Sequence, residues 1–403
     1  MLSRQVEENL AEYLVNRIEE ANSLILNKIG LAIKRIGTLN ATQAYQLGQM
    51  LKYGSDYYEI ATRLAQISGK NVEEIYSMFH EVAKQNKQFA KQFYEYRDIR
   101  YIPYTEDSIL QRQVNSIARL TAEKYINISN TTGIGFIFKD LSGNLQFKNL
   151  QQSYNEIIDR AILSISEGKE TYQTEMRRMM KELGHNGLVV YESGRTRRLD
   201  SAIRMNVLDG IRQLNNETSK RFGEEYGADG IEISVHSNPA PDHEDIQGRQ
   251  FSNEEYEKLE NGEIATDNKG IQHDGSDKRH ISEYNCYHKI FAIVLGVSKP
   301  EYTDEELNKI KANNEKGFDF EGKHYTNYEG TQLQRKIELQ IRKEKDTQIL
   351  ARSAGEDFKD MAQESERKIR LLTEKYNDLC NVSGLLPKRQ RMSVSGYRRI
   401  KVA

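Results

Sequence analysis

His236, His243, His280 and His288 are half of the chain's eight histidines, and Cys286 is one of its two cysteines. No other stretch gathers so many groups able to do chemistry. Imidazole nitrogen and thiolate sulfur are zinc ligands, and His236, His243, Cys286 and His288 together would make a four-ligand site of zinc character. If Cys286-Tyr287-His288 is extended, its first and third side chains fall on one face. The Cys-x-His spacing is tighter than in the usual zinc knuckles, and there is no second cysteine pair. A packing reading therefore stands beside the metal one, with Cys286 a small buried residue and the imidazoles bonded to backbone around a turn. A third reading is acid–base chemistry: His236, Asp242, His243, Glu244 and His288 would form the set for a phosphodiesterase. Asp242-His-Glu-Asp245 equally reads as a solvated loop. Cys286 with His288 as a nucleophile pair is weaker, because such partners usually meet from distant segments.

These residues need a scaffold. Ile231, Ile233 and Val235 alternate with polar residues and predict a strand with one apolar face. Asn238, Pro239 and Pro241 stop it, since proline removes a backbone donor and restricts the residue before it. The chain holds five prolines, so two within three residues mark a built turn. Gly248 frees the backbone again before Phe251. The apolar run Ile290 to Val297 follows Asn285-Cys286-Tyr287-His288.

Composition bounds the rest. At 403 residues two or three domains are expected. A hydrophobic fraction of 37% beside 29% charged residues describes a polar chain that still buries a core. The formal net charge of -2 gives no global field toward nucleic acid, so any such binding is local. Two cysteines do not make a disulfide framework, which points to a reducing cytoplasm at synthesis. The N-terminal residues carry no apolar signal region and no stretch approaches a membrane span. Synthesis in the cytosol, with no membrane partner, is the expectation.

Read in order, Gln5 to Ile36 predicts a long helix with Leu10, Leu14, Ile18, Leu24, Ile29 and Ile33 on one stripe. Helices follow over Thr42–Tyr53, Asp56–Ile67 and Asn71–Tyr94, separated by Gly54-Ser55 and Ser68-Gly-Lys70. A further helix spans Glu106 to Ile126. Thr131 to Asp140 reads as an apolar strand or ordered loop, and helices at Tyr154–Ser166 and Tyr172–Leu183 come next. From Leu188 the pattern changes to a hairpin about Glu192-Ser-Gly-Arg195, then a helix from Asp200 to about Tyr226. Beyond the central strand, Asn253 caps a short helix, Gly262 to Asp277 reads as a surface loop, and Thr303 with Glu306 caps another helix. Phe318 to Tyr328 predicts a short hairpin about Glu321-Gly322. Gly330 to Leu379 is nearly all helix former, with one break at Ser353-Ala-Gly355. The fold class is α+β: a helical region over 1–186, an α+β module over 187–330 carrying the His/Cys motif, and a charged helix with a basic tail over 331–403.

The tail holds Lys388, Arg389, Arg391, Arg398, Arg399 and Lys401 with no acid, which makes phosphate contact with nucleic acid one reading. Tyr397 would then stack on a base. A solvated tail, or one docked on an acidic partner, is the other reading. Being short, polar and terminal, the segment is expected to be removable without loss of the fold.

Ser234-Val-His236, Pro241-Asp-His243, Gln247-Gly248 and Asn285-Cys286-x-His288, with Gly296-Val-Ser298 behind them, resemble the minor capsid 2 family of tailed phages, itself similar to Mu F-like head morphogenesis proteins. The resemblance continues through Tyr302-Thr-Asp-Glu-Glu-Leu307, Gly322-Lys-x-Tyr325 and Thr331 to Glu338. Upstream it takes in Ser193-Gly-Arg195 and Arg204-Met-Asn-Val207, and it is good from about Ile157 onward. It implies a structural protein of a bacteriophage or prophage virion rather than an enzyme. Such a protein would associate with the portal protein and with coat or scaffolding protein during head assembly, and be carried inside the head. A virion-borne nuclease-like effector and a DNA-binding head factor are the alternatives.

Overall fold

The computed structural model describes residues 4–53, 55–139, 142–192, 195–281 and 286–401. The chain opens on α1 (Arg4–Gly37), α2 (Ala41–Tyr53), α3 (Ser55–Tyr96) and α4 (Ser108–Ser129). The hairpin β1 (Ile134–Lys139) and β2 (Leu145–Asn149) leads into α5 (Leu150–Ser166) and α6 (Lys169–Asn186). Next come β3 (Val189–Glu192), β4 (Arg195–Arg198), α7 (Leu199–Tyr226), β5 (Gly230–Ile233), β6 (Gln250–Ser252) and α8 (Asn253–Glu260). After β7 (Ile264–Thr266), β8 (Gln272–Asp274), β9 (Ile290–Ile293) and α9 (Asp304–Lys316), the chain closes with β10 (Phe318–Phe320), β11 (Lys323–Tyr325), α10 (Asn327–Ala354) and α11 (Lys359–Ser383).

Helix α1 is central because it is apolar on more than one side. Leu14, Ile18, Ile25, Ile29 and Ile33 form one stripe, and Ala11, Val15, Leu26, Ala32 and Ile36 widen it. Leu10 and Leu24, expected on that stripe, lie at its half-buried margin. The width lets α3, α5, α7 and α10 all pack on α1. Helix α3 corrects the sequence reading: it runs unbroken through Ser68-Gly-Lys70. Gly69 faces open space, and Leu64, Ile67, Ile75 and Phe79 on either side of it are buried. Packing on both flanks outweighs the roughly 1 kcal/mol that glycine costs a helix interior. Gly54, the other expected break, lies outside the described residues.

The first sheet has the order β2-β1-β3-β4, antiparallel throughout. Gly187, where the sequence pattern changes, caps the end of α6 and leads to the strand β3, which pairs with β1 through Ile134 opposite Val190. The main core runs from Ala11 to Tyr226 and takes back Ile349, Leu350, Phe358, Met361 and Val394 from the far end of the chain. A second core gathers Ile231, Ile233, Ile246, Phe251, Tyr256, Leu259, Ala265, Ile281 and Ile290 about the sheet β6-β5-β9. A third joins Phe318 and Phe320 to α10 and α11 through Ile337, Ile341, Ile369 and Tyr376. The C-terminal helices split where Gly355 adopts φ +100°, as Ser353-Ala-Gly355 predicts.

Inside the main core sits an ionic cluster. Asp346 on α10 accepts from Arg198 at 2.9 Å, and Asp200 at the start of α7 pairs with Arg342 on α10. Glu19 on α1 and Asp346 both accept from the Asn22 amide, at 3.4 and 3.3 Å. Three carboxyls thus face two guanidinium groups. Burial, with the Asp346 charge beside it, pushes the Glu19 carboxyl up to about 7, which brings the cluster toward neutrality by leaving a proton on the acid that lies in no bridge to either arginine.

Candidate metal centre and the docked tail

The His/Cys residues are positioned by β5, the proline turn and the entry to β9. Strand β5 is buried at all four positions, not only on one face as alternation predicts. Glu232 is accommodated because its carboxylate accepts from Gln250 Nε2 at 2.7 Å and from the Glu301 backbone at 3.0 Å. Ser234 fixes the neighbouring segment: its hydroxyl accepts from the Lys289 backbone N–H and its own N–H donates to the Lys289 carbonyl, both at 2.8 Å. Pro241 opens a 3-10 turn, Pro241–His243. Gly248 closes the loop at φ +70°, where a Cβ would strike Leu307 and Val235 at 2.6 and 2.9 Å. Glycine is required there on both counts.

The structure brings three of the four expected ligands together. His243 Nδ1 lies 3.3 Å and His288 Nδ1 3.4 Å from Cys286 Sγ. One nitrogen from each histidine and the sulfur all lie within 4.8 Å of one another, and the three residues are 1–3% exposed. His236 is not in this set. Its ring lies against that of His288, centroids 4.3 Å apart, and edge-on to Tyr287 at 6.3 Å. Asn285 lies outside the described residues.

The far nitrogens are held as well. His243 Nε2 is 2.7 Å from the Arg279 carbonyl oxygen, and His288 Nε2 is 3.3 Å from Gln247 Oε1. That Gln247 oxygen also accepts the His236 backbone N–H at 3.2 Å, so a hydrogen-bond acceptor is what His288 meets. Both imidazoles therefore carry their hydrogen on Nε2 and turn a bare Nδ1 toward the sulfur. Burial pulls His243 below the usual histidine range and His288 well below it, which favours the neutral rings.

The carboxylates of the acid–base reading are engaged elsewhere. Asp242 takes both arms of Arg279, at 2.6 and 2.9 Å; burial raises its carboxyl, and the guanidinium bonds outweigh that and hold it low. Glu244 accepts from Asn314 at 3.0 Å and stands 3.7 Å from Lys311. His280 is half exposed beside Glu260 at 3.2 Å.

Sequence reasoning missed a second cluster. His273, the buried middle residue of β8 in the hairpin β7–β8, has Nδ1 3.0 Å from Asp245 and Nε2 3.5 Å from buried Asp267. Lys278 adds a bridge to Asp245 at 2.7 Å. The segment read as a surface loop lies mostly at the surface but forms a hairpin, with His273 against Phe251. Ile264-Ala-Thr266 and Ile271-Gln-His273 flanking Asp267-Asn-Lys-Gly270 were the available signal. The cap of α8 is also shifted by one: Ser252, not Asn253, accepts from the Glu255 N–H.

The basic tail is docked, not loose. Lys388 bridges Glu8 on α1 at 2.7 Å; Arg391 reaches the same carboxylate at 3.4 Å and donates to the Tyr287 hydroxyl at 3.2 Å. Met392 and Val394 are buried in two different cores. Tyr397, expected to stack on a base, lies under Lys345 at 4.6 Å and donates to Glu366 at 3.0 Å. Four of the six expected phosphate-binding cations, Arg389, Arg398, Arg399 and Lys401, remain exposed. Tyr287 joins the two features, lying between Cys286 and His288 with Arg212 over its ring at 4.6 Å.

No helix among the described residues is long and apolar enough to cross a membrane. No curated protein and no solved structure matches the chain. The family model described as Phage minor capsid protein 2 matches residues 5–381, which extends the resemblance seen from Ile157 back through the N-terminal helices. With a match over nearly its whole length, this chain belongs to the Phage minor capsid protein 2 family and is a structural component of a phage virion.

Proposed function

We propose that this minor capsid protein acts at the portal vertex during head assembly, contacting the portal protein together with coat or scaffolding protein. The observation that carries the reading is the family match over residues 5–381, which takes in the helical body and the His/Cys module alike. The surface is compatible with it: α2 and the start of α3 present Tyr45, Met50 and Tyr58 at 58, 71 and 76% exposure. The role is structural rather than catalytic, a reading supported by the burial of His243, Cys286 and His288 and by the bonds that occupy Asp242 and Glu244. Deleting the gene from the phage tests it. Malformed, unstable or non-infectious heads are expected, restored by the intact protein in trans. Complete and fully infectious particles lacking the protein would overturn the assembly role.

A further inference from the structure

We propose that His243, Cys286 and His288 bind one zinc ion that ties the proline turn to the segment entering β9. The three side chains converge with their donor atoms within 4.8 Å of one another. His243 gives its Nε2 hydrogen to the Arg279 carbonyl, and His288 gives its own to Gln247 Oε1, an oxygen already fixed as an acceptor by the His236 N–H. Both Nδ1 atoms then present lone pairs to the sulfur, which carries a single hydrogen. A cation accepts all three lone pairs at once.

The distances suit the ion. Zinc–sulfur bonds of about 2.3 Å and zinc–nitrogen bonds of about 2.0–2.1 Å in a tetrahedral centre hold sulfur and nitrogen roughly 3.5 Å apart; here they are 3.3 and 3.4 Å. One thiolate with two imidazoles is a borderline-soft donor set that selects zinc over magnesium or calcium. The outer partners fit too. Histidine ligands of metals characteristically donate their second N–H to a carbonyl or carboxylate, which fixes the tautomer and the ring plane, and both rings here donate to a carbonyl oxygen. On binding, Zn²⁺ displaces the thiol proton to solvent and the histidines enter neutral. The three residues supply three of the four ligands of a tetrahedral ion, and all three are 1–3% exposed.

The test uses the purified full-length chain, independent of any portal partner. Protein made in zinc-supplemented medium should carry about one tightly held zinc, the content of a single site. After chelation, reconstitution with cobalt(II) should give an intense thiolate-to-cobalt charge-transfer band, kept in Cys380→Ser and lost in Cys286→Ser. Chelator should lower the melting temperature of the wild type and speed alkylation of Cys286 relative to Cys380. Wild-type protein that holds no zinc and gives no cobalt band would overturn the proposal whatever the variants do, and so would a Cys286→Ser protein that keeps the band.

Discussion

Replacing Glu19 by glutamine should stabilise the protein at pH 8 and leave it nearly unchanged at pH 5. Glu19 is buried on α1 among Asp200, Asp346, Arg198 and Arg342. Burial, then the charge of Asp346, raises its carboxyl from 4.5 to about 7. A folded-state value above the unfolded one means that the native protein binds the proton more tightly. The stability carried by that proton is fully present below the unfolded value and is lost as pH rises through the folded one. The window is therefore about pH 4.5 to 7. A tenfold difference in proton affinity corresponds to about 1.4 kcal/mol, so ionising Glu19 costs the fold on the order of 3 kcal/mol above pH 7. Glutamine keeps the shape and the bond to Asn22 without that charge. The assay is a pair of thermal melts, wild type and Glu19→Gln, from pH 5 to 8, with the difference plotted against pH. The gap should open across that window with the variant the more stable. A pH-independent gap, or a variant less stable at pH 8, would refute the reading that the surplus carboxyl is the protonated one.

Removing residues 388–403 should unfold part of the protein, because Met392 and Val394 are buried and two such side chains contribute roughly 3–6 kcal/mol; a truncated chain that melts with the wild type would show that the tail is dispensable. Gly184→Ala should destabilise by about 1–3 kcal/mol, the usual range for overpacking, since the added carbon would lie 2.9 Å from the Cα of Thr347; trimming Thr347 to alanine should rescue it only in part, and full rescue would place the clash in the side chain alone. With Lys388 and Arg391 engaged by Glu8, at most Arg389, Arg398, Arg399 and Lys401 are left for phosphate. A salt titration of duplex-DNA affinity should then give a log–log slope no steeper than roughly -3.6, at about -0.9 per contact, and a slope near that of six contacts would mean that the tail undocks.

Local physics was legible in the sequence, and long-range pairing was not. The capping box of Thr303 with Glu306 and the hairpin at Glu321-Gly322 stand where the residues place them, because each is decided within a few positions. Ser68-Gly-Lys70 misled because the break it suggests is overruled by Ile67 and Ile75 packing on other helices. The ligand trio was visible as a cluster of types; what excludes His236 is the path of the turn, which sets its ring on His288 instead of pointing it at Cys286. The docking of Lys388 on Glu8 spans nearly the whole chain, so no window of sequence contains both partners. His273 with Asp245 and Asp267 was hidden for another reason, a hairpin with strands too short to show a clear period.

The most direct measurement is mass spectrometry of cross-linked, purified heads, counting this chain against the portal protein and locating its cross-links. A portal-vertex role predicts a few copies per head, with cross-links from the α2 and α3 region to the portal. A copy number like that of the coat protein, or cross-links confined to coat away from the portal, would contradict it.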